Sequence, residues 1–319
     1  MSPTMEEMKV QMGFPMPVDG HAVLNDHPQR SAAPINGWSS LLFGSPFAAS
    51  GIFIWVMALG KDDPRRHAPV WLVAMIGGFF FLAGAFLMIH GTHDLIRKAI
   101  WKNRAAAHPG EPWVADFHWR REGIAFSAFQ ETLKRLIGAL GWNLFLVPFF
   151  WIGAVQKVWP FLIFSAVFAL LGLIFWYRWG VMVADCVRYG GSFLNYDSFP
   201  YFLGSPLRGR LRAPRNFSSI EELKLTLRCV EEKYITSGAG ENRSTKVVCY
   251  EIYKDEQTLD QGRLRGLAGH DIPFEFPLPP DQPTTTLAAT PPTYWEIEAK
   301  GKARGVDYQA YFLVPVYKS

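Results

Sequence analysis

Two hydrophobic patterns divide the chain, and the first predicts helices in a membrane. Four stretches contain no Asp, Glu, Lys or Arg, at residues 31–60, 67–93, 136–156 and 158–177. A helix of about 20 apolar residues crosses the ~30 Å hydrocarbon core of a bilayer, and each stretch contains such a window. The pattern therefore predicts four transmembrane helices, over residues 38–60, 68–91, 136–155 and 158–178.

The connections between these helices are short within each pair and long between the pairs. "KDDPRRH" joins the first two helices and "QK" separates the last two, which favours two antiparallel hairpins. Aromatic rings next to cationic side chains are typical of a segment at the membrane surface. The long connection between the hairpins carries such a group, which comprises Trp113, Phe117, Trp119, Arg120 and Arg121.

The second pattern is an alternation of apolar and polar residues in the last part of the chain. It appears in "ELKLTLRCV" (222–230), "IPFEFPL" (272–278), "YWEIEAKGKA" (294–303) and "VDYQAYFLVPV" (306–316), with turn residues between these runs. Period-two alternation is typical of strands with one buried face. Short strands at this spacing predict an all-β antiparallel sandwich.

These patterns predict five segments. They are a flexible N-terminal tail (1–36), transmembrane hairpin 1 (37–91), a membrane-surface loop (92–135), transmembrane hairpin 2 (136–178) and a β-sandwich domain (179–319).

The distribution of charge predicts an orientation in the membrane. Charged residues make up only 19% of the chain, below the ~25% that is usual for soluble domains. With four spans, the tail, the central loop and the C-terminal domain share one side, and Lys and Arg concentrate on the cytoplasmic side. That side carries eleven basic residues near the membrane: Arg30, Arg97, Lys98, Lys102, Arg104, Arg120, Arg121, Lys134, Arg135, Arg178 and Arg188. The other side carries four: Lys61, Arg65, Arg66 and Lys157. We therefore expect a multi-pass protein of the inner membrane with both termini in the cytoplasm.

Candidate chemistry is sparse. The motifs "GxxxxGK[ST]", "GxGxxG", "HExxH" and "GxSxG" do not occur, and we expect no cofactor and no nucleic-acid partner. His90, His93 and Asp94, in "HGTHD", lie at the predicted end of the second helix. Residues three and four apart share a helix face and could hold a metal ion. The alternative is a pair of interfacial histidines at the helix end, near the negative end of its dipole.

Two of the three cysteines are expected to be neighbours. A hairpin turn centred near residue 239, in "SGAG", sets Cys229 opposite Cys249 on paired strands. Either they form a redox or disulfide pair, or they are two small buried apolar residues. A cytoplasmic domain would keep them reduced.

Several stretches resemble known families. "IPFEFPLPPDQPTTT" followed by "YWEIEAKGKARGVDYQAYFLVPVY" looks like the arrestin-type β-sandwich, in which a Pro-rich strand precedes two long strands. The wider pattern, with "WRREGI", "GWNLFLVPFF" and "SPLRGRLRAP", resembles an uncharacterised bacterial family of multi-pass membrane proteins that carries a domain of unknown function. This resemblance implies the fold but no activity.

Two functions remain open at this stage. The first is a membrane-anchored interaction or scaffolding module, because arrestin-like sandwiches bind other proteins through edges and loops. The strand at 272–278 would then add a partner strand, with Ile272, Phe274 and Phe276 as interaction residues. The second is a small membrane enzyme or transporter subunit that uses the helical bundle and the His90/His93 region. The expected partners are the lipid bilayer and an unidentified protein.

Overall fold

The structure, a computed structural model, describes residues 21–25, 27–31, 37–60, 69–212, 219–237, 244–266 and 271–319. The chain forms two compact units. One contains residues 1–34, 101–128 and 185–319, and the other contains residues 35–100 and 129–184. The first unit is rich in strands and the second is helical.

The four predicted helices are confirmed. They are α1 (Gly37–Leu59), α2 (Val70–Ala107), α4 (Ala128–Val155) and α5 (Trp159–Tyr189). Two short helices accompany them, α3 (Pro112–Asp116) and α6 (Gln261–Gly266). Helices α1, α2, α4 and α5 are long and apolar enough to cross a membrane, with mean hydropathies of 1.7 to 2.4 over their most apolar windows. Helix α2 continues past its predicted end at residue 91, and α5 continues past residue 178.

A seam of glycines joins α1 to α2. The seam has three facing pairs, Gly37 with Gly91, Gly44 with Gly84, and Gly51 with Gly77, each close enough for backbone to meet backbone. The seven-residue spacing returns each glycine to the same helix face after two turns. Glycine allows this close approach because it has no side chain. Close van der Waals packing of this kind drives helix association in lipid, where the hydrophobic effect between helices is absent.

Aromatic side chains pack the second hairpin instead. Trp142 on α4 stacks on Phe168 of α5 at 5.6 Å between ring centroids, and its indole N–H donates to the Phe168 carbonyl oxygen at 2.9 Å. Phe149 of α4 also contacts Phe164 of α5, with the rings tilted and their centroids 5.1 Å apart. The two hairpins thus use different packing within one helical unit.

The strand-rich unit contains two large antiparallel sheets. The strands are β1 (Ala22–Val23), β2 (Gly123–Phe126), β3 (Ser192–Tyr196), β4 (Tyr201–Phe202), β5 (Pro206–Arg212), β6 (Ile220–Ser237), β7 (Ser244–Asp260), β8 (Ile272–Pro277), β9 (Thr293–Ala303), β10 (Tyr308–Val314) and β11 (Val316–Tyr317). One sheet has the order β1-β7-β6-β9-β10 and the other β2-β3-β5-β8. Strands β4 and β11 form a short parallel pair.

One apolar core lies between the inner faces of the two sheets. Leu225, Trp295 and Phe312 of the five-stranded sheet and Leu211 and Phe276 of the four-stranded sheet are all members of it. Each of these side chains is fully buried. The alternation in the sequence therefore identified the inner faces correctly.

Residues 101–128 of the predicted membrane-surface loop form part of the strand-rich unit. Strand β2 pairs with β3 as the edge of the four-stranded sheet. Buried Asp116 accepts hydrogen bonds from the Ala288 N–H at 2.7 Å and the Tyr317 hydroxyl at 2.8 Å. Burial raises the pKa of Asp116 against the lowering effect of these donors. Trp113 and Trp119 both contact Tyr317: the Trp113 ring packs against the tyrosine ring, and the Trp119 indole N–H donates to the tyrosine hydroxyl at 3.0 Å.

The predicted flexible tail is wrong for the residues that the structure describes. Ala22 pairs with Glu251 and Val23 with Tyr250, so that β1 extends the five-stranded sheet. The Leu24 N–H donates to the Cys249 carbonyl at 3.0 Å. We call residues 21–25 and 27–31 the N-terminal segment. Its sequence has no long alternating run, which is why pattern analysis missed it.

The predicted register of Cys229 and Cys249 is wrong. Cys229 pairs with Tyr253, and Cys249 pairs with Glu232. Ser237 pairs with Ser244, so the hairpin is centred beyond residue 239, and a bulge between Cys229 and Val230 shifts the register further. Cys229 faces the core between the sheets, whereas Cys249 lies on the opposite face of the sheet. All three cysteines are free thiols.

Both strand cysteines are expected to resist alkylation in the folded protein. Burial raises the pKa of the Cys249 thiol to about 12 and raises that of Cys229 strongly, and only the thiolate is a good nucleophile. In a Cys186→Ala background, iodoacetamide at pH 8 should label neither thiol until the protein is denatured. Ser319→Cys, at an exposed position, is the positive control. Rapid labelling of Cys249 in the folded state would contradict its burial.

Candidate interaction site

Charged side chains gather on the outer face of the five-stranded sheet, which we define as the face turned away from the core. Alternation along β6, β7 and β9 sends one set of side chains inward and the other outward. The bulge after Cys229 turns Val230 and Glu232 to the outer face. The outward set that forms the site is Arg228, Glu232, Glu251, Glu296 and Glu298.

One part of this set is neutralised by the sheet itself. Arg228 lies 2.7 Å from the Glu251 carboxylate and 2.6 Å from that of Glu298. Gln309 donates a hydrogen bond to Glu298 at 2.7 Å. Burial raises the pKa of Glu298, but these donors and the cation outweigh it and hold the pKa below its usual value. This carboxylate is therefore ionised and paired at neutral pH.

Glu232 is bound by the N-terminal segment. Its carboxylate is fully buried. It accepts hydrogen bonds from the backbone N–H groups of Arg30 at 2.6 Å and Ser31 at 2.9 Å, and from the Ser31 hydroxyl. The Tyr294 hydroxyl donates from the sheet at 3.3 Å. Two successive backbone N–H groups around one carboxylate form an anion-binding concavity.

Glu296 depends on the same segment. Its side chain is 0% exposed, with the His27 Nε2 at 2.9 Å and the Arg30 guanidinium at 3.9 Å. Within the described residues, the Arg30 guanidinium and the His27 imidazole are the basic groups in ion-pair distance of Glu296. An unpaired buried carboxylate is costly. Among the described residues, the sheet offers neither Glu232 nor Glu296 an ion-pair partner. The N-terminal segment supplies hydrogen-bond donors to Glu232 and the His27 and Arg30 side chains to Glu296.

Apolar and aromatic contacts frame these polar ones. The guanidinium of Arg30 lies 5.8 Å from the centre of the Tyr294 ring, and the His27 ring meets Tyr311 edge to face. Leu24 packs against a small apolar cluster on the outer face that includes Cys249 and Leu313. The Gln29 amide donates to the Val247 carbonyl at 3.1 Å. The segment is therefore attached to the outer face through its guanidinium, its backbone N–H groups, its serine hydroxyl and its apolar side chain.

The predicted interaction residues are placed in the core. Ile272 and Phe276 are 0% exposed and Phe274 is 5% exposed. Their apolar faces pack between the sheets because the alternation of β8 points them inward. They cannot contact a partner through their side chains, so this part of the prediction is corrected.

The free edge of β8 is also poorly suited to strand addition. The Gln257 amide donates to the Glu275 carbonyl, and the Tyr253 hydroxyl donates to that of Pro277 at 3.5 Å. Pro273 and Pro277 lack an N–H group on the same edge. A partner strand would find few free groups there.

The candidate metal residues are not brought together with further ligands. His90 and His93 are exposed on α2, which continues for four turns beyond them. The Asp94 carboxylate is paired with Lys98 at 2.7 Å and with Arg97 at 4.0 Å. Among the described residues, no group of three metal-ligating side chains occurs. Asn143, the clearest polar residue of the spans, donates to the Ala139 carbonyl of its own helix at 2.8 Å.

The sequence held one signal for the site that pattern analysis passed over. Glu296 and Glu298 alternate with apolar residues in "YWEIEA", which places both on one strand face. Charged residues on an outward face are ordinarily solvated. The structure places Glu296 against His27 and Arg30 of the N-terminal segment, and Glu298 against Arg228 and Gln309 of the sheet.

Comparisons with known proteins give no function. No protein-family model and no curated protein matches the chain. Among solved structures, the crystal structure of Spo0M, a sporulation control protein from Bacillus subtilis, is similar at 16% sequence identity over 40% of this chain, with a TM-score of 0.24. The similar part spans 49% of the Spo0M chain, about half its length. A likeness at this TM-score carries no argument, so the site must be interpreted from its own geometry.

Proposed function

We propose that this chain is a membrane-anchored protein-interaction module with an arrestin-like β-sandwich. Its four apolar helices anchor it in the inner membrane of a bacterial cell. Its sandwich binds extended peptide segments on the outer face of the five-stranded sheet.

The observation that carries this proposal is the docked N-terminal segment. Two fully buried carboxylates, Glu232 and Glu296, take most of their hydrogen-bond and ion-pair partners from the N-terminal segment, and Tyr294 of the sheet adds one donor to Glu232. A sheet that needed only to fold would have no use for buried charges, since apolar residues of similar size are often at least as stabilising. The arrangement is suited to recognising a peptide.

The orientation supports the same interpretation. The eleven basic residues on one side of the spans, against four on the other, favour a cytoplasmic location for both termini and for the sandwich. The outer face would then meet cytoplasmic proteins. The helices would serve as the anchor, with the bilayer as their partner.

Peptide binding can be tested with a cleavable full chain. Residues 32–36 are replaced by a protease site, and the protein is folded in detergent, cleaved and washed to release the N-terminal segment. A fluorescent peptide of residues 21–31, HAVLNDHPQRS, is expected to bind the cleaved protein in anisotropy titrations. A scrambled peptide of the same composition should not. If the cleaved, folded protein binds neither peptide, the outer face is not a peptide-binding surface.

A further inference from the structure

The chemistry of the docked segment also defines the class of partner. Resting on the proposed function, we infer that the outer face selects an extended cationic peptide of another protein and that the N-terminal segment is the built-in competitor that keeps the site closed. The peptide class has an imidazole or other cation, an arginine three residues later, and a hydroxyl residue directly after the arginine.

The charge of the site sets the first requirement. Glu296 has both of its ion-pair partners, His27 and Arg30, on the segment. A segment without a cation at the positions of His27 and Arg30 would leave this carboxylate buried and uncompensated, and an acidic residue at either position would add like charge to it. Charge complementarity of this kind gives specificity, since the wrong sign is rejected by several kcal/mol.

The geometry around Glu232 sets the second requirement. The N–H groups of two successive residues and the hydroxyl of the second all donate to one carboxylate. This places a residue with a hydroxyl directly after the arginine. Proline cannot occupy either position, because it has no N–H group.

The docked segment is held by few backbone pairs, which allows exchange. Among the described residues, the register with β7 comprises Ala22 and Val23, and the Leu24 N–H adds one further backbone hydrogen bond. The rest of the attachment comes from side chains and from the contacts to Glu232 and Glu296. Such a short strand can leave without breaking the pairing of β6, β7, β9 and β10.

Tethering makes the segment a strong competitor. A tethered group acts at an effective concentration set by the length of its linker, which reaches the millimolar range when the linker is short. Only five residues separate Ser31 from the start of α1 at Gly37. A partner peptide must therefore bind tightly or act at high local concentration to displace it.

The test uses the cleavable chain before and after cleavage, with three peptides. They are the native peptide, an analogue with Gln in place of His27 and Arg30, and an analogue with Glu at both positions. On cleaved protein, the Gln analogue should bind about tenfold or more weakly than the native peptide, because hydrogen bonds and pairs to charged groups contribute this much. The Glu analogue should show no measurable binding. On uncleaved protein, the native peptide should bind at least about tenfold more weakly than on cleaved protein.

A protein variant provides the matched control. Glu296→Gln in the cleaved chain should reduce the difference in affinity between the native and Gln peptides, since the variant lacks the carboxylate that pairs with the peptide cations. Equal binding of all three peptides to cleaved wild-type protein would overturn the inference while leaving peptide binding intact. Equal binding of the native peptide before and after cleavage would show that the segment does not close the site. Dimers formed through swapped segments, seen by light scattering of uncleaved protein, would instead identify a second copy as the occupant and overturn the assignment to another protein.

Discussion

Gly84→Leu is expected to separate α1 from α2 and to prevent a stable first hairpin. A Cβ atom at Gly84 would lie 2.6 Å from the Gly44 carbonyl oxygen and 2.8 Å from the Ala48 Cα. These are backbone atoms, so no side-chain rotation can relieve the clash. Gly84→Ala should already cost about 1–3 kcal/mol through overpacking, and the three further carbons of leucine should cost more.

The measurement is unfolding of the purified protein from mild detergent into SDS, followed by circular dichroism. Gly141→Ala in α4 is the matched control, because a Cβ there meets nothing within 4 Å. That change should be neutral or stabilise by up to about 1 kcal/mol, the helix propensity gained over glycine. Equal destabilisation by Gly84→Ala and Gly141→Ala would mean that the glycine seam does not hold the hairpin.

In the helical unit, sequence patterns predicted the helices but not the glycine contacts between them. Length and apolar content were sufficient to predict the four helices. The antiparallel pairing of α1 with α2 was expected from their short connection, but the glycine pairs that join them were not predicted, because small residues at four-residue spacing, such as Gly44 and Ala48, are common and give a weak signal. The seven-residue spacing of glycines within each helix becomes significant only when the two helices are aligned so that Gly44 faces Gly84.

The strand-rich unit divides in a similar way. Alternation identified β6, β8, β9 and β10 and their buried faces, including Phe312 and Ile272. It could not identify β1 and β2, which have two and four residues, because such short segments depend on the sheet that they join. The site was missed for the same reason: Glu232 and Glu296 are buried by a segment far away in sequence.

Arg228→Met is expected to destabilise the sandwich by about 3–5 kcal/mol, the loss typical of removing one partner of a buried ion pair. Arg228, Glu251 and Glu298 are 14%, 13% and 9% exposed. Methionine fills similar volume but leaves two carboxylates without a cation inside the sheet. The triple variant with Glu251→Gln and Glu298→Gln should regain much of the loss, since it removes the uncompensated charges. Thermal unfolding of the full chain in detergent, followed by near-ultraviolet circular dichroism, measures each variant.

An exposed pair gives the control for this experiment. Arg208 and Glu275 lie 2.9 Å apart but are 60% and 55% exposed, and surface pairs contribute about 0–1 kcal/mol. Arg208→Met should therefore have little effect. If Arg208→Met and Arg228→Met cost the same, the outer face is open to water and the burial of its charges is wrong.

The loss caused by Arg228→Met should also depend on pH, in a direction fixed by Glu298. In the folded protein the pKa of Glu298 lies below its usual value, because Gln309 and Arg228 outweigh burial. The ionised form is thus favoured by folding, and its contribution is present above the unfolded pKa and disappears as pH falls through the folded pKa. Without Arg228, two of the effects that lower the pKa of Glu298 are lost, so the carboxyl is protonated at higher pH in the variant than in the wild type and protonation relieves the variant. The difference in stability between wild type and Arg228→Met should therefore shrink as the pH is lowered from 7 towards 3. A difference that is constant or grows over this range would mean that the lost stability comes from packing of the arginine side chain and not from its charge.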